Sequence, residues 1–342
     1  MDKHAGHPAA PSLADKVAFL KQAGSYPDAP HTVESVETHM SWVFLTDAFA
    51  YKLKKPVRYD YLDFSTLEAR RLDCEEELRL NRRLAAEIYL AEVPLRVTAD
   101  GGLSLGGEGP PADWLVKMRR LPAARMLDHL IRQRKVTQDA VCTLARKLAA
   151  FYAGAAPEPI DADAYRQRLA GQIAESLREL GRPEFGLPAD RLTHLAEAQS
   201  AFLQQQAALL DARVAQRRIV EGHGDLRPEH VCLLADPVVI DCLEFKRDFR
   251  ILDPLDELGY LALECERLGM PEIGPWLLAT YGEASGDQWP VPLLHFYQSC
   301  RATLRAKLAI WHLRDDGRHP PQKWVRVAYE YLDLAERHIE LA

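Results

Sequence analysis

A polar loop held between apolar runs limits what this chain can fold into more than any other stretch. From Arg218 to Phe245 it reads RIVEGHGDLRPEHVCLLADPVVIDCLEF. A short apolar run leads into the loop and two more follow around an Ala-Asp-Pro turn, the pattern of strands joined by tight turns. The loop carries His223, Asp225, Arg227 and His230, and Asp241 closes the last apolar run. Strand ends are where a rigid scaffold can hold chemistry still. The ordinary alternative is a polar turn in which Asp225 caps a backbone amide. That accounts for Asp225, but not for Arg227 two residues on, His230 five residues on and a second carboxylate after one hairpin.

The order resembles the catalytic segment of protein kinases, His-Arg-Asp-Leu-Lys-Pro-Glu-Asn followed by Asp-Phe-Gly. It is more similar to the aminoglycoside phosphotransferase and choline kinase type of small-molecule kinase, which carries His-Gly-Asp and then an isolated Asp on a strand. Here the residues are His223-Gly224-Asp225-Leu226-Arg227-Pro228-Glu229-His230, then Ile240-Asp241. The Glu37-Thr-His-Met-Ser41-Trp-Val-Phe-Leu45 and Tyr51-Lys-Leu-Lys-Lys-Pro56 segments resemble a bacterial branch of such proteins. The resemblance covers nearly the whole chain in element order, and only Gly222–Asp241 is motif-specific. It implies an α+β, two-lobed protein-kinase-like fold. A flexible tail over 1–11 precedes a small antiparallel-sheet nucleotide-binding lobe over 12–120 and a larger, mainly helical catalytic and substrate lobe over 121–342.

The first lobe can be read residue by residue. Leu13, Val17 and Leu20 share one face of a short helix over 12–23. Three strand-like runs follow, Thr32–Glu37, Ser41–Leu45 and Phe49–Leu53. Strand alternation puts Ala50, Lys52 and Lys54 on one face. A kinase holds its nucleotide phosphates with a lysine on the third strand; Lys52 has the expected spacing from the small Ala50, and Lys54 is its competitor. A helix between Leu62 and Tyr89 opens on a capping box at Ser65 and Glu68. Its Glu77 shares a face with Leu80 and Leu84, and the resemblance makes it the partner of the strand lysine. Asp113–Pro122 reads as a last strand entering a hinge, where the backbone of Lys117, Met118 and Arg119 would meet adenine. Beyond Leu127 helical spacing dominates, over 128–152, 164–180, 192–214, 293–314 and 323–341. Asp256 is expected to brace the catalytic loop, with Asp253 as a helix cap, and Arg301, Arg305 and Lys307 to form a solvated or cleft-facing face.

The family roles then fall on named residues. Asp225 orients the acceptor, Arg227 contacts the transferring phosphate, and His223 completes the loop. Asp241 is a hard oxygen ligand for Mg²⁺ bound with ATP. His230 stands where the family has asparagine, a second metal ligand; imidazole suits Mn²⁺ or Zn²⁺ better than Mg²⁺. A second departure is the first turn, Thr38–Met40, which lacks a glycine-rich loop. The expected reaction moves the γ-phosphoryl of metal-ATP to a hydroxyl or amine of a small-molecule acceptor. The alternative is a catalytically weak or dead kinase-like module that binds nucleotide or a protein. A zinc hydrolase built on His223, His230 and Asp241 lacks the His-x-x-x-His pair and glutamate base such sites use.

Composition sets outer bounds. The 342 residues are 47% hydrophobic and 27% charged, the profile of a globular chain long enough for two lobes. A net charge of −7 disfavours nucleic acid or a membrane surface as partner. No apolar run reaches the ~18 residues a membrane helix needs. Met1–Pro11 is polar, without an apolar signal core. Cys74, Cys142, Cys232, Cys242, Cys265 and Cys300 form no Cys-x-x-Cys pair, so reduced thiols and a cytoplasmic location are expected. Oligomeric state is open.

Overall fold

Phe49, Tyr51 and Leu53 alternate with Ala50, Lys52 and Lys54 along one strand, and that alternation organises the N-terminal part of the chain. The computed structural model describes residues 11–59, 62–314 and 321–342; residues 1–10 of the expected tail lie outside them. Two compact units result, Met1–Ala123 with Val238–Arg247, and Ala124–Pro237 with Asp248–Ala342. The segment bearing Asp241 therefore groups with the N-terminal unit, not with the 121–342 lobe expected for it.

The first unit opens with α1 (Leu13–Leu20), capped reciprocally by Ser12 and Asp15. Strands β1 (Glu34–Glu37), β2 (Ser41–Leu45) and β3 (Phe49–Lys54) follow, then the short pair β4 (Arg58–Tyr59) and β5 (Leu62–Asp63). After α2 (Leu67–Ala85) come β6 (Tyr89–Val97), β7 (Leu103–Leu105) and β8 (Pro111–Arg119). The six-stranded sheet runs β1-β2-β3-β8-β6-β7, every pair antiparallel. One face buries Tyr51 and Leu53 with Val17, Leu20, Tyr26, Phe44, Leu95 and Leu115. The other face presents Lys52 and Lys54 to α2, where Asp73 and Glu77 lie one turn apart.

The expected capping box at Ser65 does not form. The helix starts one residue later, and the Thr66 hydroxyl caps it by accepting from the Ala69 N–H at 3.1 Å. Asp63, two residues before Ser65, claims that serine's N–H at 2.9 Å and hydroxyl at 2.5 Å, a local carboxylate turn that wins over the cap. Glu68 pairs with Arg71 instead.

The second unit is mainly helical: α3 (Leu127–Arg132), α4 (Gln138–Gly154), α5 (Ala162–Leu180), α6 (Ala189–Gln205) and α7 (Ala207–Ala215). Short strands β9 (Val220–Glu221) and β10 (Val231–Cys232) follow; β11 (Val238–Val239) belongs to the first unit; β12 (Ile251–Leu252) pairs antiparallel with β9. The chain closes with α8 (Pro254–Arg267), α9 (Ile273–Ser285), α10 (Val291–Trp311) and α11 (Pro321–Glu340). Two expected helices are each split. Arg134 turns left-handed at φ 54° and Thr137 caps a new start, so the 128–152 stretch becomes α3 and α4. The 192–214 stretch breaks at Gln206. Leu195, Leu263, Ala302, Ile310, Tyr331 and Leu332 centre one apolar core of this unit.

Asp113 ties the first unit together and was not singled out by sequence. Fully buried on β8, it accepts from Lys16 of α1 at 2.8 Å and bidentately from Arg70 of α2 at 2.8 and 3.1 Å. Asp113→Ala leaves two buried cations with backbone carbonyls but no counter-charge, and a loss of about 3–5 kcal/mol is expected. A denaturation midpoint unchanged from wild type in Asp113→Ala would show that the triad holds nothing.

Candidate active site

Lys52 joins two carboxylates of the first unit. Its ammonium donates to Glu77 Oε1 at 3.0 Å and to Asp241 Oδ1 at 2.7 Å. Burial pulls its protonation range down, but the charges of Asp241 and Glu77 outweigh that and hold it well above the usual lysine value. Lys54 is fully buried and bonds Glu77 Oε2 at 2.5 Å, Asp73 at 2.7 Å and Glu244. Asp73, Glu77 and Glu244 lie close enough together to share a metal ion, yet the Lys54 ammonium already bonds all three. Asp241 differs from that trio because its side chain is 46% exposed. Its backbone is left-handed at φ 61°, a conformation aspartate tolerates better than most residues. Two bonds fix it there: the Asp241 N–H donates to the Tyr89 hydroxyl at 3.0 Å, and the Cys242 N–H to Asn81 Oδ1 at 2.9 Å.

The catalytic-loop candidate sits in the second unit. Arg227 Nε bonds Asp225 at 3.0–3.1 Å, and the Tyr260 hydroxyl donates to Asp225 Oδ1 at 3.2 Å. Burial alone would raise the Asp225 carboxyl; the charge of Arg227 above all, with that of Arg305, overcomes it and brings the group to about 2. His230 Nδ1 lies 2.8 Å from the Asp225 carbonyl, which can only accept, so that nitrogen carries the proton. The remaining lone pair, on Nε2, faces Arg227 Nη2 at 3.3 Å. Both ring nitrogens thus bond to the loop. His223 does the reverse, its Nδ1 accepting from the Asp225 N–H at 3.3 Å.

The loop's brace is Glu257, not Asp256. Fully buried at the start of α8, it accepts from the His223 N–H at 3.0 Å, the Gly224 N–H at 2.5 Å and the Tyr152 hydroxyl at 2.6 Å. A side chain on Gly222 would put a carbon 2.7 Å from Glu257 Oε2, so only glycine lets the carboxylate this close. Asp256 is spent on Arg301, bidentately at 2.7 and 2.6 Å. Asp253 caps α8 as expected and also takes both 2.7 Å bonds of the buried Arg213. Arg301, Arg305 and Lys307 are not a solvated face; all are held by carboxylates, and Lys307 is buried against Glu175 at 2.9 Å.

The hinge assignment shifts. Lys117, Met118 and Arg119 lie inside β8, in register with β3 on one side and, for Lys117 and Met118, β6 on the other. The Arg119 N–H goes to Ile88 O and the Arg120 N–H to Ala48 O, both at 2.9 Å. The ladder therefore claims the backbone expected to meet adenine, and the chain leaves the sheet only at Leu121-Pro122.

Comparison with known proteins agrees with this architecture. No family model matches the chain. It is similar to uncharacterized proteins of Mycobacterium tuberculosis (strain ATCC 25618 / H37Rv) and Mycobacterium bovis, 33% identical over 275 residues, which is 80% of this chain and 53% of theirs. The chain thus spans about half the length of the curated relatives it matches. Among solved structures it is similar to the GDP and kanamycin complex of APH(2″)-IIIa, TM-score 0.57 at 16% identity over 94% of this chain and 98% of that one. A choline/ethanolamine kinase family protein from Mesorhizobium loti follows, TM-score 0.54 at 15% identity over 95% and 97%. A glucosamine kinase in complex with glucosamine, ADP and inorganic phosphate gives 0.51 at 13% over 95% and 86%. The chain has the kinase-like fold of aminoglycoside phosphotransferases and choline kinases. Among the described residues no helix is long and apolar enough to cross a membrane.

Glu257→Ala strips the acceptor from two backbone amides and the Tyr152 hydroxyl. Each orphaned group costs about 1–3 kcal/mol, so the unit should melt earlier and the amides of residues 222–225 should exchange faster. Unchanged amide exchange there would remove Glu257 as the brace.

Proposed function

We propose that this chain is an ATP-dependent, metal-requiring phosphotransferase acting on a small-molecule acceptor. The observation that carries the reading is Lys52, bonded at once to Glu77 and Asp241, the three residues assigned to nucleotide and metal from sequence. Kinase-like neighbours described with GDP, ADP, kanamycin and glucosamine support nucleotide use and an alcohol- or amine-bearing acceptor. Asp241 fits a hard cation: it is a carboxylate, nearly half exposed, and displays one oxygen to a lysine that also serves phosphate in such folds. Bound there, Mg²⁺ would neutralise charge on the nucleotide phosphates.

The protein's own groups do the rest. Lys52, kept protonated by its two carboxylates, takes phosphate oxygens. Arg227 offers a planar fork to the transferring group. Asp225 is ionised throughout the physiological range. A carboxylate with so low an affinity for protons is a weak base, and its work is to orient the acceptor hydroxyl through a charged hydrogen bond. Phosphoryl transfer through a loose transition state needs little more.

Three proteins separate these roles. Lys52→Ala and Asp241→Ala are expected to weaken Mg-ATP binding in calorimetry, Asp241→Ala also abolishing turnover. Asp225→Asn should keep ATP affinity within a few-fold while turnover falls by about 10²-fold or more. Parallel loss of melting temperature and binding in all three would mean a structural role only. Binding of Mg-ATP with no turnover in wild type, across hydroxylated and aminated acceptors, would identify a dead module.

His230→Asn should leave the Mg²⁺-to-Mn²⁺ activity ratio unchanged, since both ring nitrogens serve the loop. A shift toward Mg²⁺ would return His230 to the metal.

The pH dependence has a definite sign. The Asp225 carboxyl sits at about 2, below the ordinary ~3.9. Its ionised form therefore contributes stability that is present above the ordinary value and lost as pH falls toward the folded one. Between about pH 5 and 8 it adds no inflection, so Asp225→Asn should lower turnover by the same factor throughout. A factor that changes with pH in that window would contradict the role.

A further inference from the structure

Beside Asp225, helices α8 and α10 carry matched pairs one turn apart, Tyr260 and Glu264 on the first, Arg301 and Arg305 on the second. The first tier is closed. Tyr260 bonds Asp225 at 3.2 Å, and Arg301 lies over the Tyr260 ring at 5.1 Å with its fork committed to Asp256. The second tier is open. Arg305 is held only through Nε, 3.3 Å from the Tyr331 hydroxyl and 3.4 Å from Glu264 Oε1, with its guanidinium 5.5 Å over the Tyr331 ring. Its two terminal amino groups donate to no protein acceptor among the described residues, and the side chain is 20% exposed.

The neighbouring carboxylates do not fill that gap. Asp225 is taken by Arg227 and Tyr260, and Asp256 by Arg301. Glu264 accepts from Tyr331 at 2.7 and 3.0 Å and from Arg267 at 3.2 Å. Glu229 lies within the field of Arg227 and Arg305 but bonds neither, and its Oε2 is buried without a partner. An arginine anchored at Nε and by a tyrosine face, with its terminal donors unspent, is preorganised for a planar or tetrahedral oxyanion. An ammonium-bearing ligand would gain nothing from those donors and would be repelled by the charge behind them.

We propose that Arg305 recognises an anionic group, a carboxylate or a phosphate ester, on the phosphoryl acceptor whose hydroxyl Asp225 orients. This rests on the phosphotransferase reading above and narrows it. The acceptor class is hydroxy acids or phosphorylated polyols, in contrast to the amine-bearing kanamycin and glucosamine named for two neighbours. The same oxyanion chemistry belongs to the transferring phosphoryl group, and the experiment distinguishes the two sources.

Inorganic sulfate is the first probe, titrated by calorimetry into wild type, Lys52→Met, Arg305→Gln and Arg305→Lys. Sulfate should bind wild type and Lys52→Met alike, at least about tenfold more weakly to Arg305→Gln, with Arg305→Lys between and all melting temperatures close. No sulfate binding, or equal binding to wild type and Arg305→Gln, overturns the proposal. The second arm measures ATP consumption with hydroxy acids, phosphorylated polyols, neutral polyols and amino alcohols. Turnover should favour the anionic acceptors, and Arg305→Gln should raise the acceptor KM about tenfold or more with the ATP KM unchanged. Turnover confined to amines overturns it. So does a fall in kcat with the acceptor KM unchanged, which assigns Arg305 to the transferring phosphoryl. If wild type neither binds nor consumes Mg-ATP, the phosphotransferase reading fails, and the sulfate titrations still decide whether Arg305 is an oxyanion site.

Discussion

Glu77 has one lysine on each carboxylate oxygen and no exposed surface, and much of the first unit depends on that arrangement. A carboxylate removed from water is costly unless its charge is met by well-placed donors. Here each donor is in turn tied elsewhere, Lys52 to Asp241 and Lys54 to Asp73 and Glu244. One buried charge therefore links β3, α2 and the 238–247 segment. It also sets Lys52 apart from Lys54. Lys54 is wholly buried, its ammonium held by Glu77, Asp73 and Glu244 and lying 5.7 Å from the centre of the Phe64 ring. Lys52 retains some exposure, 13% of its side chain, and touches the half-exposed Asp241. Of the two ammonium groups, that of Lys52 is the more open to solvent.

The second unit solves a similar problem with backbone groups. Glu257 gathers the His223 and Gly224 amides, and its closeness depends on Gly222 having no side chain. The loop's functional side chains are then aligned by one another: Arg227 and Tyr260 on Asp225, His230 on the Asp225 carbonyl. Because nearly all of these groups are charged or bonded to a charge, the geometry is set by electrostatics more than by apolar packing.

This difference explains what could be read from the chain before folding. The pairing of Lys52 with Glu77 was legible because strand alternation and helical turns set their spacing, and Asp225, Arg227 and Asp241 were singled out by a motif. The six-stranded sheet was visible only in part: β1 to β3 and β8 have clear runs, whereas β6 and β7 are shorter on apolar signal, and β6 pairs with β8 in a register that shifts between Tyr89 and Ala91 and between Leu95 and Arg96. The helix breaks at Arg134 and Gln206 were invisible, since neither residue is a usual breaker and tertiary contacts decide them. Asp256 was preferred to Glu257 because a one-residue rotation of 100° on a helix cannot be judged without knowing the partner face. That Lys117–Arg119 lie inside β8 and not past it was hidden for a related reason, as a strand's end is fixed by its neighbours' lengths and not by its own composition.

His230 is the place where chemistry and resemblance diverge most. An asparagine amide offers one donor group and one acceptor; a neutral imidazole offers one of each as well. In this loop the donor goes to the Asp225 carbonyl and the acceptor to Arg227. Histidine can therefore replace asparagine in holding the loop together, with both ring nitrogens engaged within it. On the phosphotransferase reading Asp241 is the carboxylate best exposed to take a metal cation, since the Lys54 ammonium already engages Asp73, Glu77 and Glu244. A hard divalent ion held by a single carboxylate keeps most of its water and binds weakly by itself. On the phosphotransferase reading it would be retained mainly through the phosphates it accompanies, and histidine at 230 would then tie metal affinity to nucleotide without requiring that the chemistry be lost.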